Sequence, residues 1–346
     1  ESYQIVNIFR HETKATKPLI RLREVTTFKE AHTAHDTEEG AKNQVEEGLE
    51  IYKEFFNELG IPHVITKRPS WDTFAGAEYS IAFDMLTPNG KSLQIGTVHN
   101  LGQNFSKVFD LTFETPEGDQ DYVYQTCYGI SDRVIAAVII MHGDDRGPCF
   151  PPKVAPIQTV VVPVPFKEED IDVIEGAKKI QEKLNEAGFR THLDDRDLRP
   201  GDKYYRWERR GVPIRIEIGP KELKNNEVTL VRRDTGEKTT IPKKSLIEEI
   251  NDTFEKIKIN LKERAEKYLE NKIQRAENLE EVKEIMNENQ GIARIYWCGQ
   301  EDCGQEIEDE TGGDVLGPEF ENDQEKGKCI ICGGKGGKST LVSKTY

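Results

Sequence analysis

Apolar residues near the start of the chain follow two different spacings. Tyr3–Phe9 and Leu19–Val25 read as strands on either side of a Lys/Thr-rich turn that holds Pro18. From Asp36 to Leu59 the spacing becomes helical, with Val45, Leu49, Tyr52, Phe55, Phe56 and Leu59 recurring on one face. Asp36 or Thr37 can cap this helix, and Gly60 with Pro62 stops it. Ser92–His99, Val108–Phe113 and Tyr122–Tyr128 read as further strands, after which Gly129 leads into an apolar helix over Ser131–Met141. Many strands followed by one buried helix predict an antiparallel sheet with helices at its side.

Pro148–Pro156 holds four prolines in nine residues and marks a domain boundary. Beyond it strands and helices alternate: strands at Thr159–Val164, Phe189–Leu193, Ile214–Ile218 and Val228–Arg232, and helices at Glu168–Ala187 and Asp202–Arg210. That rhythm predicts a compact α/β unit. One long charged helix is expected from Lys244 to about Glu288, its apolar positions Leu246, Ile250, Phe254, Ile257 and Leu261 suited to packing on a neighbour. A Gly-rich, Cys-containing tail follows. The expected fold class is a multidomain mixture of α+β and α/β, with domains at 1–150, 151–245 and 246–346.

The 346 residues are enough for two or three domains with cores of their own. A net charge of −15 supplies no overall basic field, which argues against DNA binding and confines any RNA contact to a local patch. The longest apolar run, Val134–Met141, is far below the roughly 20 residues a membrane-spanning helix needs. Six cysteines, four of them in close pairs near the C-terminus, are the usage of a reduced compartment with a metal site, so a cytoplasmic location is expected. The chain opens at Glu1 and is strand-like by its third residue, which reads as a fragment lacking its N-terminal part.

Candidate chemistry begins at Phe9-Arg10-His11-Glu12, answered across the turn by Arg21-Leu22-Arg23-Glu24. Arginine's planar fork donates to phosphate oxygens in pairs, although an Arg/Glu ladder on a hairpin is, taken alone, a common solvated pairing. A second element changes the balance. In Tyr128-Gly129-Ile130-Ser131-Asp132-Arg133 a strand turns into a helix, and Arg133 falls in the helix's first turn. A glycine that admits a nucleotide and an arginine near a helix N-terminus suit a γ-phosphate.

These elements resemble motifs 2 and 3 of the class II aminoacyl-tRNA synthetases. The detail resembles the prolyl-tRNA synthetases of the archaeal/eukaryotic type through Phe28-Lys29-Glu30-Ala31-His32, Trp71-Asp72-Thr73-Phe74-Ala75-Gly76 and the run Gln94-Ile95-Gly96-Thr97-Val98-His99-Asn100-Leu101-Gly102-Gln103-Asn104-Phe105-Ser106. The resemblance covers essentially the whole chain. It implies that proline is activated with ATP and Mg²⁺ and then transferred to tRNA(Pro), with Arg10 and Arg133 as the catalytic pair. Arg10 would grip the α-phosphate and the substrate carboxylate, Glu12 and Arg21 would hold the adenine amine and the outer phosphates, Arg133 the γ-phosphate, and Gln94 with Thr97 the adenosine. Phe28, Glu30, His32, Phe74 and His99 would line the proline pocket, which Cys127 and Ser131 would border. Phe28 or Phe74 alone would read as core, and His32 alone as a satisfied core histidine. In the family, motif 1, which forms the homodimer interface, and the Thr-x-Glu that holds the imino nitrogen lie upstream, and neither is in this sequence.

Arg190–Arg215 carries eight Arg/Lys against five Asp/Glu, a net +3 in an acidic chain. Mixed charges of this kind can read the edges of splayed guanines, although most of them suit a solvated face. The run resembles the anticodon-binding domain of class II synthetases, and Glu208, Arg215, Lys221 and Glu222 match positions that contact anticodon bases. In the tail, Cys298-x4-Cys303 and Cys329-x2-Cys332-Gly333-Gly334 suit tetrahedral Zn²⁺ in a closed, structural site better than disulfides or an iron–sulfur cluster. The chain ends in Lys344-Thr345-Tyr346 as this family type does, and the resemblance implies that this end reaches toward the active site. Cys149 reads as structural. Two other readings compete: a non-catalytic tRNA-binding or regulatory paralogue, which would be expected to have lost Arg10, Arg21 and Arg133, and a class II ligase for threonine or glycine.

Overall fold

The computed structural model describes residues 1–11, 15–165, 171–320 and 326–346. In chain order the elements are β1 (Ser2–Phe9), β2 (Glu24–His35), α1 (Glu38–Glu58), β3 (Val64–Lys67), β4 (Tyr79–Leu86), β5 (Lys91–Gly102), α2 (Asn104–Phe109), β6 (Thr112–Glu114), β7 (Gln120–Tyr122), β8 (Tyr124–Ser131) and α3 (Arg133–His142). Next come β9 (Thr159–Pro163), α4 (Ile171–Glu186), β10 (Thr191–Leu193), α5 (Pro200–Glu208), β11 (Ile214–Ile218), α6 (Pro220–Asn225), β12 (Glu227–Arg232), β13 (Lys238–Pro242) and α7 (Leu246–Lys272). The tail holds β14 (Ile273–Arg275), α8 (Leu279–Asn287), β15 (Ile292–Trp297), α9 (Glu301–Thr311), β16 (Asp314–Pro318), β17 (Lys326–Lys328) and β18 (Lys335–Thr345).

The chain gathers into two compact units, one formed by Glu1–Ala137 with Glu266–Tyr346, the other by Val138–Ala265. The first is built on a mixed sheet with the order β1-β2-β8-β5-β18-β15-β14, to which β4 adds on the other side of β5. β5 pairs with β8 along its second half, while its first two residues take β18 as a parallel neighbour through Lys91↔Lys344 and Ser92↔Thr345. The C-terminal strand therefore continues the N-terminal sheet. Helix α1 lies against β5 and β8, burying Val45, Leu49, Tyr52 and Phe56. Thr37 caps it as expected, its side chain accepting from the Gly40 N–H.

In the second unit β10, β9 and β11 run parallel, and β12 and β13 continue the sheet antiparallel. Alternation sorts the faces. Ile214, Ile216 and Ile218 join α4 and the first part of α7 in one core, whereas Val160 and Val162 pack with Trp207 of α5 on the other face. All five apolar positions anticipated on α7 are buried there.

Three expectations are corrected. Leu19–Val25 is not a strand: Leu19 adopts φ 57°, Lys17 and Arg21 close a tight turn by exchanging backbone hydrogen bonds, and β2 starts only at Glu24 but then runs for twelve residues. Val108–Phe113 is split, because Val108 and Phe109 end α2 and Asp110, at φ 55°, caps it before the short ribbon of β6 and β7. The long helix stops at Lys272, since Ile273–Arg275 pairs with β15 and Asn278 caps a new helix by accepting from the Glu281 N–H.

Candidate active site

Strand register brings the site together. β2 pairs with β8, and β8 with β5, so Glu30, Gly129 and Thr97 form one cross-strand row and His32, Cys127 and His99 the next, with Phe28 opposite Ser131 beyond them. Gly129 leaves room for Phe28, whose ring carbon Cζ would lie 3.2 Å from a β-carbon at that position. The rows floor a cavity of about 450 Å3 within the first unit, and Arg10, Arg21 and Arg133 stand on its walls with Phe28, Phe74 and His99. The volume is that of a site for a small ligand. Gln94, Thr97, Glu30, Cys127 and Ser131 complete the anticipated lining. His32 stands beside the cavity, its Nε2 3.6 Å from Glu30 Oε2. Glu12 lies outside the described residues.

Backbone contacts hold the cationic wall in place. The Arg10 N–H donates to Arg23 O at 2.7 Å, and the Arg10 guanidinium lies 6.0 Å from the Phe28 ring centre. Arg133 donates to the carbonyls of Ile20 (3.0 Å) and Gln94 (2.9 Å), so the tight turn and β5 both grip it. Arg21 donates to the main-chain oxygen of Tyr346 at 2.7 Å. Asp132 is buried and accepts from the N–H and hydroxyl of Thr26, tying the start of α3 to β2.

On the apolar side the Phe74 N–H donates to Ser80 Oγ (3.0 Å), which lies 2.7 Å from His99 Nδ1, and the Phe74 and His99 rings are 5.0 Å apart. The loop after Phe74 turns at Gly76, φ 89°, where a β-carbon would meet the Phe105 ring at 2.9 Å. Glycine is thus demanded by both conformation and space. Burial pushes His99 down to about 4 against a weaker upward pull from Glu30, which keeps the imidazole neutral near pH 7. Because the folded value lies below the ordinary 6.5, the neutral ring's contribution to stability is complete above pH 6.5 and is lost as pH falls toward 4. Thermal melts across that window are expected to show a smaller acid-induced drop for His99→Gln than for the wild type, and parallel curves would refute the assignment. Burial also raises the Cys127 thiol, as does Glu30, whose Oε1 accepts from Sγ at 3.4 Å. Cys127 is therefore a neutral donor in the pocket wall rather than a nucleophile.

One wall residue escaped the sequence reading. Arg68 is buried, with its Nη2 2.8 Å from Asp84 Oδ1, its Nη1 2.9 Å from Leu316 O and its Nε 3.3 Å from Asp72 Oδ2. It borders the main cavity and a second one of about 380 Å3, which shares Arg21, Gln94 and Arg133 with the first. The available signal was the Lys67-Arg68 pair just upstream of Trp71-Asp72-Thr73-Phe74, which in sequence reads as ordinary surface charge.

In the tail, Cys298 follows β15, Cys303 opens α9, and Cys329 and Cys332 sit in the turn after β17. Their four sulfurs lie within 4.8 Å of one another. Burial works to raise Cys329, but backbone N–H groups of Cys332, Ile331 and Cys298 outweigh it and bring the thiol down to about 7. Burial raises Cys303 to about 12. A set of four thiols, one already favouring thiolate, has the donor chemistry of a tetrahedral soft-metal site. Among the described residues, the other grouping at metal-ligand spacing is Glu30, His32 and Cys127.

In the second unit Arg215 is buried under the Tyr204 ring, 3.9 Å from its centre, and is paired with Glu208 (3.2 Å) and Glu217 (3.0 Å). Glu222 accepts the Gly219 N–H at 3.0 Å, capping α6, and Lys221 is exposed one residue earlier. Glu208 and Arg215 thus meet, while Glu222 already performs a local structural task.

Three family descriptions match the sequence: the class II tRNA synthetase core domain (G, H, P, S and T) over residues 1–142, an anticodon binding domain over 158–253, and the prolyl-tRNA synthetase C-terminal domain over 279–346. Proline–tRNA ligase of Methanothermobacter thermautotrophicus is 54% identical over 331 residues, which is 96% of this chain and 68% of that relative. The proline–tRNA ligases of Sulfurisphaera tokodaii (51% over 350 residues) and Methanocaldococcus jannaschii (52% over 346 residues) each align with 99% of this chain, covering 72% and 73% of their own lengths. With half its residues identical along nearly its whole length and all three regions in order, the chain belongs to the proline–tRNA ligase family of class II aminoacyl-tRNA synthetases.

Proposed function

We propose that the protein activates proline with ATP to prolyl-adenylate and passes the prolyl group to the 3′ end of tRNA(Pro). The observation that carries this reading is the meeting of three arginines with Phe28, Phe74 and His99 in one cavity. The proline carboxylate attacks the α-phosphorus and pyrophosphate leaves; a ribose hydroxyl of the tRNA then attacks the prolyl carbonyl, forming the ester and releasing AMP. The residues at the site position reactants and stabilise charge. Arg10 grips the α-phosphate and the carboxylate, Arg21 the outer phosphates and Arg133 the γ-phosphate, while Gln94 and Thr97 contact the adenosine. Phe28 and Phe74 pack on the pyrrolidine ring, with Glu30, His32 and His99 around it and Cys127 and Ser131 at its border. Mg²⁺, brought with ATP, would neutralise charge on the phosphates beside Arg21 and Arg133. Comparing pyrophosphate exchange driven by proline, threonine and glycine tests the reading. Exchange that follows threonine or glycine instead of proline would overturn it.

The four tail cysteines would hold structural Zn²⁺, which when bound ties α9 and the turn after β17 to the end of β15. The proposed division into catalytic, anticodon-binding and zinc-bearing parts has limits near residues 150 and 245. A homodimer working in the cytoplasm belongs to the same proposal, and no described helix is long and apolar enough to cross a membrane.

Glu208, Arg215, Lys221 and Glu222 are proposed to face the anticodon, Glu208 accepting from a guanine amine. Of these, exposed Lys221 offers the clean test. Lys221→Glu is expected to lower tRNA charging by about tenfold, as loss of one base or phosphate contact does, while pyrophosphate exchange is unchanged. Equal loss of both activities would count against the role.

A further inference from the structure

The cysteine cluster and the amino-acid pocket are joined by one side chain. Trp71 lies in the short turn Ser70–Asp72, three residues before Phe74. Its indole N–H donates to Glu308 Oε1 at 3.1 Å, and its ring meets Trp297 edge-on at 5.7 Å. The ring's far edge rests on Gly304, where a β-carbon would come within 2.2 Å of Trp71 Cη2. Every one of these contacts belongs to the cysteine module. Trp297 precedes Cys298, Gly304 follows Cys303, and Glu308 is one turn further along α9, where it also accepts the Val315 N–H at 3.0 Å. Beside Trp71, Ser70 donates to Glu301 Oε2 at 3.3 Å. Next in the chain, Asp72 meets Arg68, which itself binds Leu316 O. The turn that delivers Phe74 to the pocket is therefore seated on the module on one side and on the sheet, through Ser80 and His99, on the other.

We infer that the four-cysteine module sets the position of the proline-pocket loop through Trp71, so that metal occupancy governs how tightly the pocket holds its amino acid. This rests on the proline and zinc readings above. Without a metal, four thiols crowded within 4.8 Å lose what holds them together. The start of α9 then loosens, Trp71 loses its floor, and Phe74 drifts from His99. Trp71, Gly304 and Glu308 are positioning residues, since none of them borders the main cavity. The consequence is selective. Proline binding weakens more than nucleotide binding, because Arg10 is held at Arg23 O and Arg133 by the carbonyls of Ile20 and Gln94, none of them in the module.

Gly304→Ala and Trp71→Phe test this, the first by displacing the indole and the second by removing its N–H and part of its bulk. Both are expected to raise the KM for proline about tenfold or more, the scale at which a small misplacement is felt, and to leave kcat and the KM for ATP within about twofold. Bound zinc should stay at the wild-type level. Glu308→Gln keeps an acceptor oxygen and is expected to behave as wild type. A proline KM within about twofold of wild type in both variants, or proline and ATP KM values rising by the same factor, would overturn the inference. A second readout needs no catalysis: chelating the metal from wild type should shift tryptophan emission, and the shift should be clearly smaller in Trp71→Phe, where Trp297, beside Cys298, is the module's remaining tryptophan. If the wild type shows no proline-dependent exchange, the failure lies with the functional reading. The emission arm then decides alone, and an unmoved Trp71 signal on metal removal sinks the coupling.

Discussion

Replacing Arg10 by alanine is expected to lower proline-dependent pyrophosphate exchange by about two orders of magnitude or more, the cost of deleting one preorganised donor to a transition-state charge. The expectation is specific because the structure separates the arginine's charge from its place in the fold. Its backbone N–H is fixed to Arg23 O, a bond that alanine keeps, and its side chain is exposed on the cavity wall beside Phe28. Stability should therefore change little, since among the described residues this exposed side chain rests only beside the Phe28 ring, and surface substitutions of that kind usually cost within about 0.5 kcal/mol. Arg10→Lys should recover only part of the rate, because an ammonium supplies a point charge and not the planar pair of donors that a phosphate or carboxylate accepts. A melting temperature near wild type with exchange down about a hundredfold would locate the defect in chemistry. Exchange near the wild-type rate would remove Arg10 from the mechanism, and with it the assignment of the hairpin as the nucleotide's grip.

Local pattern was enough for some elements and not for others, and the difference has a physical origin. Helix α1 was legible because its apolar stripe and Thr37 cap are local features, and β11 was read to the residue because Ile214, Ile216 and Ile218 alternate with Arg215 and Glu217. β4 was missed: its side chains are buried on both faces after Tyr79, so it shows no alternation to detect. The break after α7 depends on β14 finding β15, a pairing between residues 273 and 292 that no window on α7 contains. The site divides in the same way. Phe28, Glu30, Thr97 and His99 were recognisable as members of a signature, yet the rows that join them to Cys127, Gly129 and Ser131 exist only through the register of three strands. Arg68 shows no pattern in sequence because its importance is its burial against Asp84 and Leu316, the latter supplied from far along the chain. That Glu222 also caps α6 was not legible, because with glycine in the cap position the usual Ser/Thr signature of a capping box is missing and its bond to the Gly219 N–H shows only in three dimensions.

Stripping the metal from the four-cysteine module is expected to lower the melting temperature by about 6–12 °C. Structural zinc supplies on the order of 10 kcal/mol where a fold depends on it. If only about a third of that stabilises the module within the folded chain, the loss is roughly 3 kcal/mol, and at about 2–4 °C for each kcal/mol the shift follows. The module's core explains why the loss should not stay local. Trp297, Cys303, Ile307, Cys329 and Val342 belong to one buried cluster, so two of the four proposed ligands are also core residues. β18 carries Val342 and runs on to pair with β5 at the base of the catalytic sheet. Loosening the ligands therefore frees one end of a strand whose other end supports the site. Thiol labelling gives the companion measurement: native protein should protect Cys298, Cys303, Cys329 and Cys332 until the chelator acts, and then all four should react as roughly one equivalent of zinc is released. Rapid labelling of the four before chelation, with no zinc released, would show that the thiols cluster without a metal and that packing alone holds the tail together.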